Sequence, residues 1–91
     1  MNFEGCAALV TGGGSGLGAG TARALAKLGV SVAVLDVNQD GAAALAKEIG
    51  GTAVHCDVAD AESAEAAVAA ARSAQGPARI LVNCAGVGTP G

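Results

Sequence analysis

The amino-acid sequence predicts an α/β fold built on a doubly wound parallel sheet with the strand order 3-2-1-4. Four short apolar runs start near residues 6, 30, 52 and 79, and three segments with helical periodicity separate them. Continuous apolar runs are typical of parallel strands that are covered on both faces. Right-handed crossovers through the three helices then place the first strand between the second and the fourth.

Composition and charge limit the classes of function. The 91 residues suffice for one small domain, and 52% of them are hydrophobic, with Phe3 as the single aromatic residue. A net charge of −3 without any run of basic residues argues against binding to nucleic acid or to an anionic membrane. No apolar stretch has the roughly 18 residues of a membrane span, and residues 1–4 lack the basic start of a signal peptide. We therefore expect a cytoplasmic protein whose partners are small molecules or other proteins.

The cysteines and the histidine form no metal or disulfide pattern. Cys6, Cys56 and Cys84 are odd in number, lack C-x-x-C spacing and lie in or beside the apolar runs. They are predicted to be buried free thiols. His55 is the one histidine and has no partner at metal-ligand spacing, so we interpret it as structural.

The first strand, over residues 6–11, runs into the glycine-rich segment TGGGSGLG at residues 11–18. A chain that leaves a buried strand must turn sharply, and a Cβ would obstruct both the turn and the close approach of a pyrophosphate. Glycines at 12, 16 and 18 suit these demands, and the following helix offers free N–H groups and a partial positive charge. The spacing is one residue longer than the usual fingerprint. We interpret the segment as a phosphate-binding turn, with a plain glycine-rich loop as the alternative.

The first helix is predicted over residues 16–28, with Gly29 as its stop, and the second strand over 30–35. The apolar face of this first helix is predicted to comprise Leu17, Thr21, Ala24, Leu25 and Leu28.

Two further helices have recognisable ends. Asn38 is the predicted N-cap of the second helix, which stops at Gly50, and Asp60 is the N-cap of the third, which breaks at Gly76. The side chains predicted to be buried are Ala42, Leu45, Ala46 and Ile49 in the second helix and Ala64, Ala67, Val68 and Ala71 in the third.

Two carboxylates follow predicted strands at one edge of the sheet. Asp36 lies 18 residues after Gly18 and ends the second strand, close to the spacing expected for the acid that accepts hydrogen bonds from an adenosine ribose. A carboxylate there favours NAD, because two unit charges about 4 Å apart repel by roughly 4 kcal/mol at an effective dielectric near 20, which disfavours NADP. Asp57 ends the third strand, over residues 52–56, and an adenine amino group is a plausible target. The alternatives are a loop acid at Asp36 and a helix cap at Asp57.

The fourth strand is predicted over residues 79–82 and ends at Asn83, Cys84, Ala85 and Gly86. Its carboxyl end and the glycine-rich turn border the crevice where the winding of the sheet reverses. Asn83 either ties this strand to its neighbours or forms a turn. Because an apolar last strand would leave a long exposed edge, we expect the chain to be the N-terminal half of a larger domain.

Together these motifs resemble the short-chain dehydrogenase/reductase family. The residues that carry the resemblance are TGGGSGLG at 11–18, Asp36, Cys-Asp-Val at 56–58 and Val-Asn-Cys-Ala-Gly at 82–86. The glycine-rich loop and the Asn-Cys-Ala-Gly segment look most like the type 2 3-hydroxyacyl-CoA dehydrogenase branch. The resemblance spans the whole chain and implies a Rossmann-type NAD-binding domain over residues 1–91. It also implies an oligomeric enzyme that transfers hydride between NAD and a hydroxyl or keto substrate, such as a 3-hydroxyacyl-CoA.

By position, the resemblance implies that Ser15 and Leu17 contact the cofactor phosphates and ribose. Asp57 and the backbone of Val58 would hold adenine, and the segment 84–86 would line the path to the nicotinamide-side ribose. The family more often has Asn where this chain has Cys84. The full set of implied cofactor contacts is Gly12, Ser15, Gly16, Leu17, Gly18, Asp36, Asp57, Val58, Asn83, Cys84, Ala85 and Gly86.

No catalytic residue is predicted within the chain. The family's Ser, Tyr and Lys lie beyond the fourth strand, and this sequence contains no Tyr. Two other interpretations stay open: a catalytically silent NAD-binding module that is complete at this length, and a methyltransferase with the same alternation of strands and helices. Methyltransferases usually place an acid just before the glycine loop, where this chain has Thr11.

Overall fold

Four parallel strands form one sheet in the order β3-β2-β1-β4, which confirms the predicted topology. The computed structural model describes residues 6–12, 16–57 and 60–83. Its elements are β1 (Ala7–Thr11), α1 (Gly16–Lys27), β2 (Ser31–Asp36), α2 (Gln39–Ile49), β3 (Thr52–His55), α3 (Ala61–Gln75) and β4 (Ile80–Asn83). β1 lies at the centre, with Leu9 opposite Ala33 on one side and Leu81 on the other.

Side chains alternate along the strands between two apolar clusters, one on each face of the sheet. On one face α1 and α2 pack against Ala8 and Val10 of β1 and Val32 and Val34 of β2. On the other face α3 packs against Leu9, and Cys56 is buried there with it. β1 and β2 are covered on both faces, as their continuous apolar sequences predict.

The predicted caps of α2 and α3 are confirmed. The Asn38 side chain accepts a hydrogen bond of 3.1 Å from the Gly41 N–H, and Gly50 ends α2 in the left-handed conformation at φ 70°. Asp60 caps α3 through its carboxylate, which accepts from the N–H groups of Glu62 at 3.0 Å and Ser63 at 3.4 Å. Such a cap stabilises a helix by about 1 kcal/mol.

The predicted apolar face of α1 is partly wrong. Ala24 is exposed, and Leu28 lies beyond the end of the helix with 52% of its surface exposed, whereas Ala22 is fully buried. The helix packs on the sheet through the predicted Leu25 and through small side chains that the predicted face did not include. Ala19, Leu25 and Ala26 flank Ala22 at that contact.

Val68 was also expected to be buried, but 46% of its surface is exposed. The cause is the position of α3, which packs mainly across β3 and β2. Ala67 and Ala71 are the buried side chains of this helix, and Leu81 of β4, on the same face of the sheet, is 68% exposed. Strand bounds differ from the predicted ones by a single residue.

Candidate cofactor site

The carboxyl ends of the strands bring the predicted site residues to one edge of the sheet, which we call the carboxyl edge. Thr11 at the end of β1 pairs with Leu35 of β2 and with Asn83 of β4. Asp36 and Asp57 follow on the β2 and β3 side. The described residues include Gly12, Gly16, Leu17, Gly18, Asp36, Asp57 and Asn83, whereas Ser15, Val58, Cys84, Ala85 and Gly86 lie outside them.

Gly12 starts the turn after β1 with a backbone conformation that favours glycine, at φ 69°. Its N–H donates a hydrogen bond of 2.8 Å to the carbonyl of Leu35, so the turn is tied to β2 immediately before Asp36. A side chain at this position would be strained whatever the surrounding space.

Gly16 and Gly18 differ in their surroundings at the start of α1. Gly18 is buried, as expected for a close contact between helix and strand. Gly16 is exposed, and apart from its chain neighbours and its own helix backbone, a Cβ built on it would meet no atom of the described residues within 4 Å. Packing against the described residues therefore does not explain a glycine at position 16.

The first turn of α1 carries no acidic residue, in contrast to α2 with Asp40 and α3 with Glu62. Acidic side chains stabilise a helix N-terminus by interacting with its partial positive charge. Their absence from the first turn of α1 leaves that charge for another anion.

Asp36 is half-buried and held in place on both its backbone and its side chain. Its carboxylate accepts a hydrogen bond of 3.0 Å from the Asn38 N–H, and its backbone carbonyl accepts one of 3.0 Å from the Cys56 N–H. Since Asn38 also caps α2, a single residue joins the carboxylate to the start of that helix. The sequence predicts the cap but gives no sign of its bond to Asp36.

Asp57 is exposed at the carboxyl edge, one residue beyond the buried Cys56. The Asp57 N–H donates a hydrogen bond of 3.0 Å to Ser63 Oγ. Its carbonyl accepts one of 3.0 Å from the Asp60 N–H. Asp60, not Asp57, caps α3, so the alternative role proposed for Asp57 is not the one it takes. Ser63 was missed because nothing in the sequence marks a serine six residues away as a partner.

The prediction of buried free thiols is confirmed for Cys56 and only in part for Cys6. Cys56 is a buried free thiol, and Cys6 is a free thiol that is only half-buried. Burial, together with the negative charges of Asp57 and Asp36, raises the pKa of the Cys56 thiol. Cys84 lies outside the described residues. Within those residues, no group of three or more His, Cys, Asp and Glu side chains is placed to hold a metal ion.

The end of β4 is joined to β1. Thr11 Oγ1 donates a hydrogen bond of 3.4 Å to the carbonyl of Val82, and the backbones of Thr11 and Asn83 are in register. The two roles considered for the Asn83 side chain stay predictions.

A family model described as short chain dehydrogenase matches residues 6–91. The chain belongs to this family. Among curated relatives, D-threitol dehydrogenase from Mycolicibacterium smegmatis is 48% identical over an alignment of 92 positions, which covers 96% of this chain and 35% of the relative. Human 3-hydroxyacyl-CoA dehydrogenase type-2 is 38% identical over 88 residues, which cover 94% and 34%. That branch is thus one of several to which the chain is similar.

Two crystal structures of proteins from Brucella melitensis have the same fold as this short chain dehydrogenase segment. One, described as ribose-5-phosphate isomerase, has a TM-score of 0.88 at 41% identity. The match covers 94% of this chain and 34% of the isomerase chain. The other, a 3-ketoacyl-(acyl-carrier-protein) reductase complexed with NADH, has a TM-score of 0.84 at 43% identity and covers 87% and 34%. The segment thus spans about a third of the length of these proteins.

The short chain dehydrogenase family comprises oxidoreductases that use NAD or NADP. The family generally acts on small molecules and is oligomeric. No helix in the described ranges is long and apolar enough to cross a membrane.

Proposed function

We propose that this chain is the NAD-binding part of an oxidoreductase that transfers hydride between NAD and a hydroxyl or keto substrate. The observation that carries the choice of NAD is the position of Asp36. Its carboxylate is held at the end of β2 by the Asn38 N–H, on the same edge as the turn that begins at Gly12.

The chemistry of Asp36 fits a ribose that carries two free hydroxyl groups. A carboxylate accepts hydrogen bonds from such hydroxyls and repels a phosphate in their place. At an effective dielectric near 20, this repulsion is roughly 4 kcal/mol at a separation of about 4 Å, which corresponds to on the order of a hundred- to a thousandfold in affinity. The Asn38 N–H holds one oxygen of this carboxylate at the end of β2, at 3.0 Å.

The start of α1 fits the pyrophosphate of the same cofactor. Gly12 directs the chain away from β1, and the first turn of α1 has no acid to repel a phosphate. The open space at Gly16 supports a close approach of a ligand there. By family position, we further assign Ser15 and Leu17 to the phosphate and ribose contacts.

The remaining cofactor contacts follow from the same assignment. Asp57 accepts a hydrogen bond from the adenine amino group, and Val58 contacts the ring through its backbone. The segment 84–86 lines the path to the nicotinamide-side ribose. When bound, NAD supplies the hydride acceptor, and the residues of this chain bind and orient it.

For the whole protein, we propose that residues 1–91 form the N-terminal half of a longer Rossmann-type domain, with the catalytic Ser, Tyr and Lys in the other part. This is supported by the matches to the two relatives, which cover only about a third of their length, and by the lack of Tyr in the chain. Homo-oligomerisation and a small-molecule substrate follow from family membership. A 3-hydroxyacyl-CoA and a sugar alcohol are both candidate substrates, from the names of the two relatives. A cytoplasmic location stays a prediction.

The test is a calorimetric titration of the full-length protein with NAD and with NADP. We expect the wild-type protein to bind NAD at least a hundredfold more tightly than NADP. Asp36→Ala should weaken the binding of NAD and reduce the difference between the affinities for NAD and NADP. Asp40→Ala is the matched control, because it removes an exposed negative charge near the same edge without removing the proposed ribose acceptor. Unchanged affinities for both cofactors in Asp36→Ala would overturn the assignment. Binding of NAD without turnover of any alcohol would favour the catalytically silent module.

A further inference from the structure

The first turn of α3 holds the backbone of Asp57 in place. β3 ends at His55, and the bond from the Cys56 N–H to the Asp36 carbonyl, at 3.0 Å, ties the preceding residue to β2. Asp57 itself bonds towards α3: its N–H donates to Ser63 Oγ and its carbonyl accepts from the Asp60 N–H, both at 3.0 Å. Both backbone polar groups of Asp57 are therefore bonded to residues at the start of α3.

Ser63 departs from the usual arrangement at a helix start. With Asp60 as N-cap, Ser63 occupies the third helical position, whose side chain in a capping box accepts from the N–H of the cap residue itself. Here the Asp60 N–H donates to the Asp57 carbonyl instead, and Ser63 Oγ accepts from the Asp57 N–H. Ser63 Oγ thus accepts from the Asp57 N–H, where a capping box would have it accept from the Asp60 N–H.

The hydroxyl of Ser63 is well placed for this task. Ser63 is half-buried, and its own N–H donates to the Asp60 carboxylate at 3.4 Å. Helical side chains point back towards the helix N-terminus, which directs Oγ at the segment before the cap. The serine is thus held by α3 while its oxygen reaches out of the helix to Asp57.

We propose that Ser63 is a positioning residue for adenine recognition. By holding the Asp57 N–H, it fixes the direction in which the Asp57 carboxylate meets the exocyclic amino group of adenine. The proposal rests on the proposed function, in which Asp57 accepts from that amino group. A hydrogen bond tolerates only a few tenths of an ångström and weakens steeply as its angle closes, so loss of the anchor acts on recognition. The exposed Asp57 N–H would then bond to water, so the fold loses little.

The test compares NAD with nicotinamide hypoxanthine dinucleotide, which has a carbonyl oxygen in place of the adenine amino group. Affinities of the full-length protein for both are measured by calorimetry, and the midpoint of thermal unfolding is recorded for each variant. In Ser63→Ala we expect NAD to bind about three- to tenfold more weakly, with the affinity for the hypoxanthine analogue unchanged. Ser63→Thr, which keeps a hydroxyl, restores the preference for NAD. Ser73→Ala, an exposed serine near the other end of α3, is the control and leaves both affinities unchanged.

Three contrary outcomes are distinguishable. Wild-type protein that binds no NAD would refute the proposed function itself. Wild-type protein that binds NAD and the analogue equally would remove the role of Asp57 in adenine recognition, and with it the role of Ser63, while the NAD assignment stands. An equal loss of affinity for both dinucleotides in Ser63→Ala, with a lowered unfolding midpoint, would make the serine merely structural and overturn the inference.

Discussion

The N–H of Gly12 donates a hydrogen bond of 2.8 Å to the carbonyl of Leu35, the residue immediately before Asp36. The turn proposed to hold the phosphates and the strand that carries the proposed ribose acceptor are therefore joined by one backbone bond. Gly12 makes this bond in the left-handed conformation, with φ 69°. The position should be sensitive to any side chain.

Gly12→Ala should strongly weaken cofactor binding, because the strained backbone displaces the turn from β2. Gly50→Ala is the matched control: Gly50 has nearly the same φ, 70°, and ends α2 away from the carboxyl edge. Both substitutions should cost roughly 1–2 kcal/mol of stability. Titration with NAD and thermal unfolding of both variants measure the two effects separately. An equal loss of binding in both variants would show that general destabilisation, not the turn, is responsible.

Gly16→Ala should separate stability from binding in the opposite sense. Among the described residues, a Cβ at Gly16 meets no atom within 4 Å outside its chain neighbours and its own helix backbone, and the same holds for Gly20 one turn further along α1. Replacing either glycine by alanine should stabilise the helix by up to about 1 kcal/mol. Only Gly16→Ala should weaken the binding of NAD, because only that Cβ would clash with the pyrophosphate in its proposed position. If both variants bind NAD like the wild type, no phosphate approaches Gly16 closely.

Much of the fold could be predicted because its signals are local. Apolar runs indicate buried parallel strands, and Asn38, Gly50 and Asp60 act on residues within four positions of themselves. The face of α1 could not be predicted in the same way. It depends on how closely the helix approaches the sheet, and the fully buried Ala22 decides that contact where the larger Leu28 does not.

For the candidate site, the sequence could predict where its two carboxylates lie. Asp36 and Asp57 reach the carboxyl edge because a strand ends at or just before each of them. Their anchors could not be found, because the bond between Asp57 and Ser63 depends on the side-chain conformation of a serine in the next helix. The pair of Arg23 and Glu48, 25 residues apart, was beyond reach for the same reason.

Arg23 and Glu48 form an exposed ion pair that joins α1 to α2. Arg23 Nε and Nη2 both donate to the Glu48 carboxylate, the second at 3.1 Å. The hydrogen bond and the charge of Arg23 hold the pKa of Glu48 below its usual value of 4.5. Because the pKa of Glu48 is lower in the folded state, its carboxylate stabilises the fold at every pH above the usual pKa. This stabilisation is lost as the pH falls through the lowered pKa of the folded state.

Glu48→Gln should therefore lower the unfolding midpoint slightly at neutral pH and leave it unchanged in acid below the lowered pKa. The effect should be small and should shrink at high salt, because both side chains are about half exposed, at 49% and 52%. Thermal unfolding of the full-length protein across pH, at low and high salt, measures it. Glu65→Gln, an exposed glutamate of α3, controls for general charge effects. A difference that persists at the acid limit would exclude the ion pair as its cause.

Residues 1–91 expressed alone should aggregate or stay molten and should bind NAD weakly. β4 pairs with β1 on one side, and no strand within the described ranges pairs with its other side. Leu81 of β4 is 68% exposed, and Val68 of α3, on the same face of the sheet, is 46% exposed. An unpaired strand edge beside exposed apolar side chains favours association between copies. Sedimentation, dye binding and thermal unfolding of the isolated chain measure this behaviour.

Leu81→Lys in the isolated chain should reduce aggregation, because a charge on an edge strand opposes pairing with a second copy. Leu28→Lys is the matched control: Leu28 is also exposed, at 52%, but lies after α1 and away from that edge. Equal improvement in both variants would point to a general effect of charge on solubility. A cooperative transition, a monomeric sedimentation profile and micromolar affinity for NAD in the unmodified chain would contradict the prediction. That result would show that 91 residues suffice for a stable NAD-binding module, because the uncovered face of β4 would then cost the fold little.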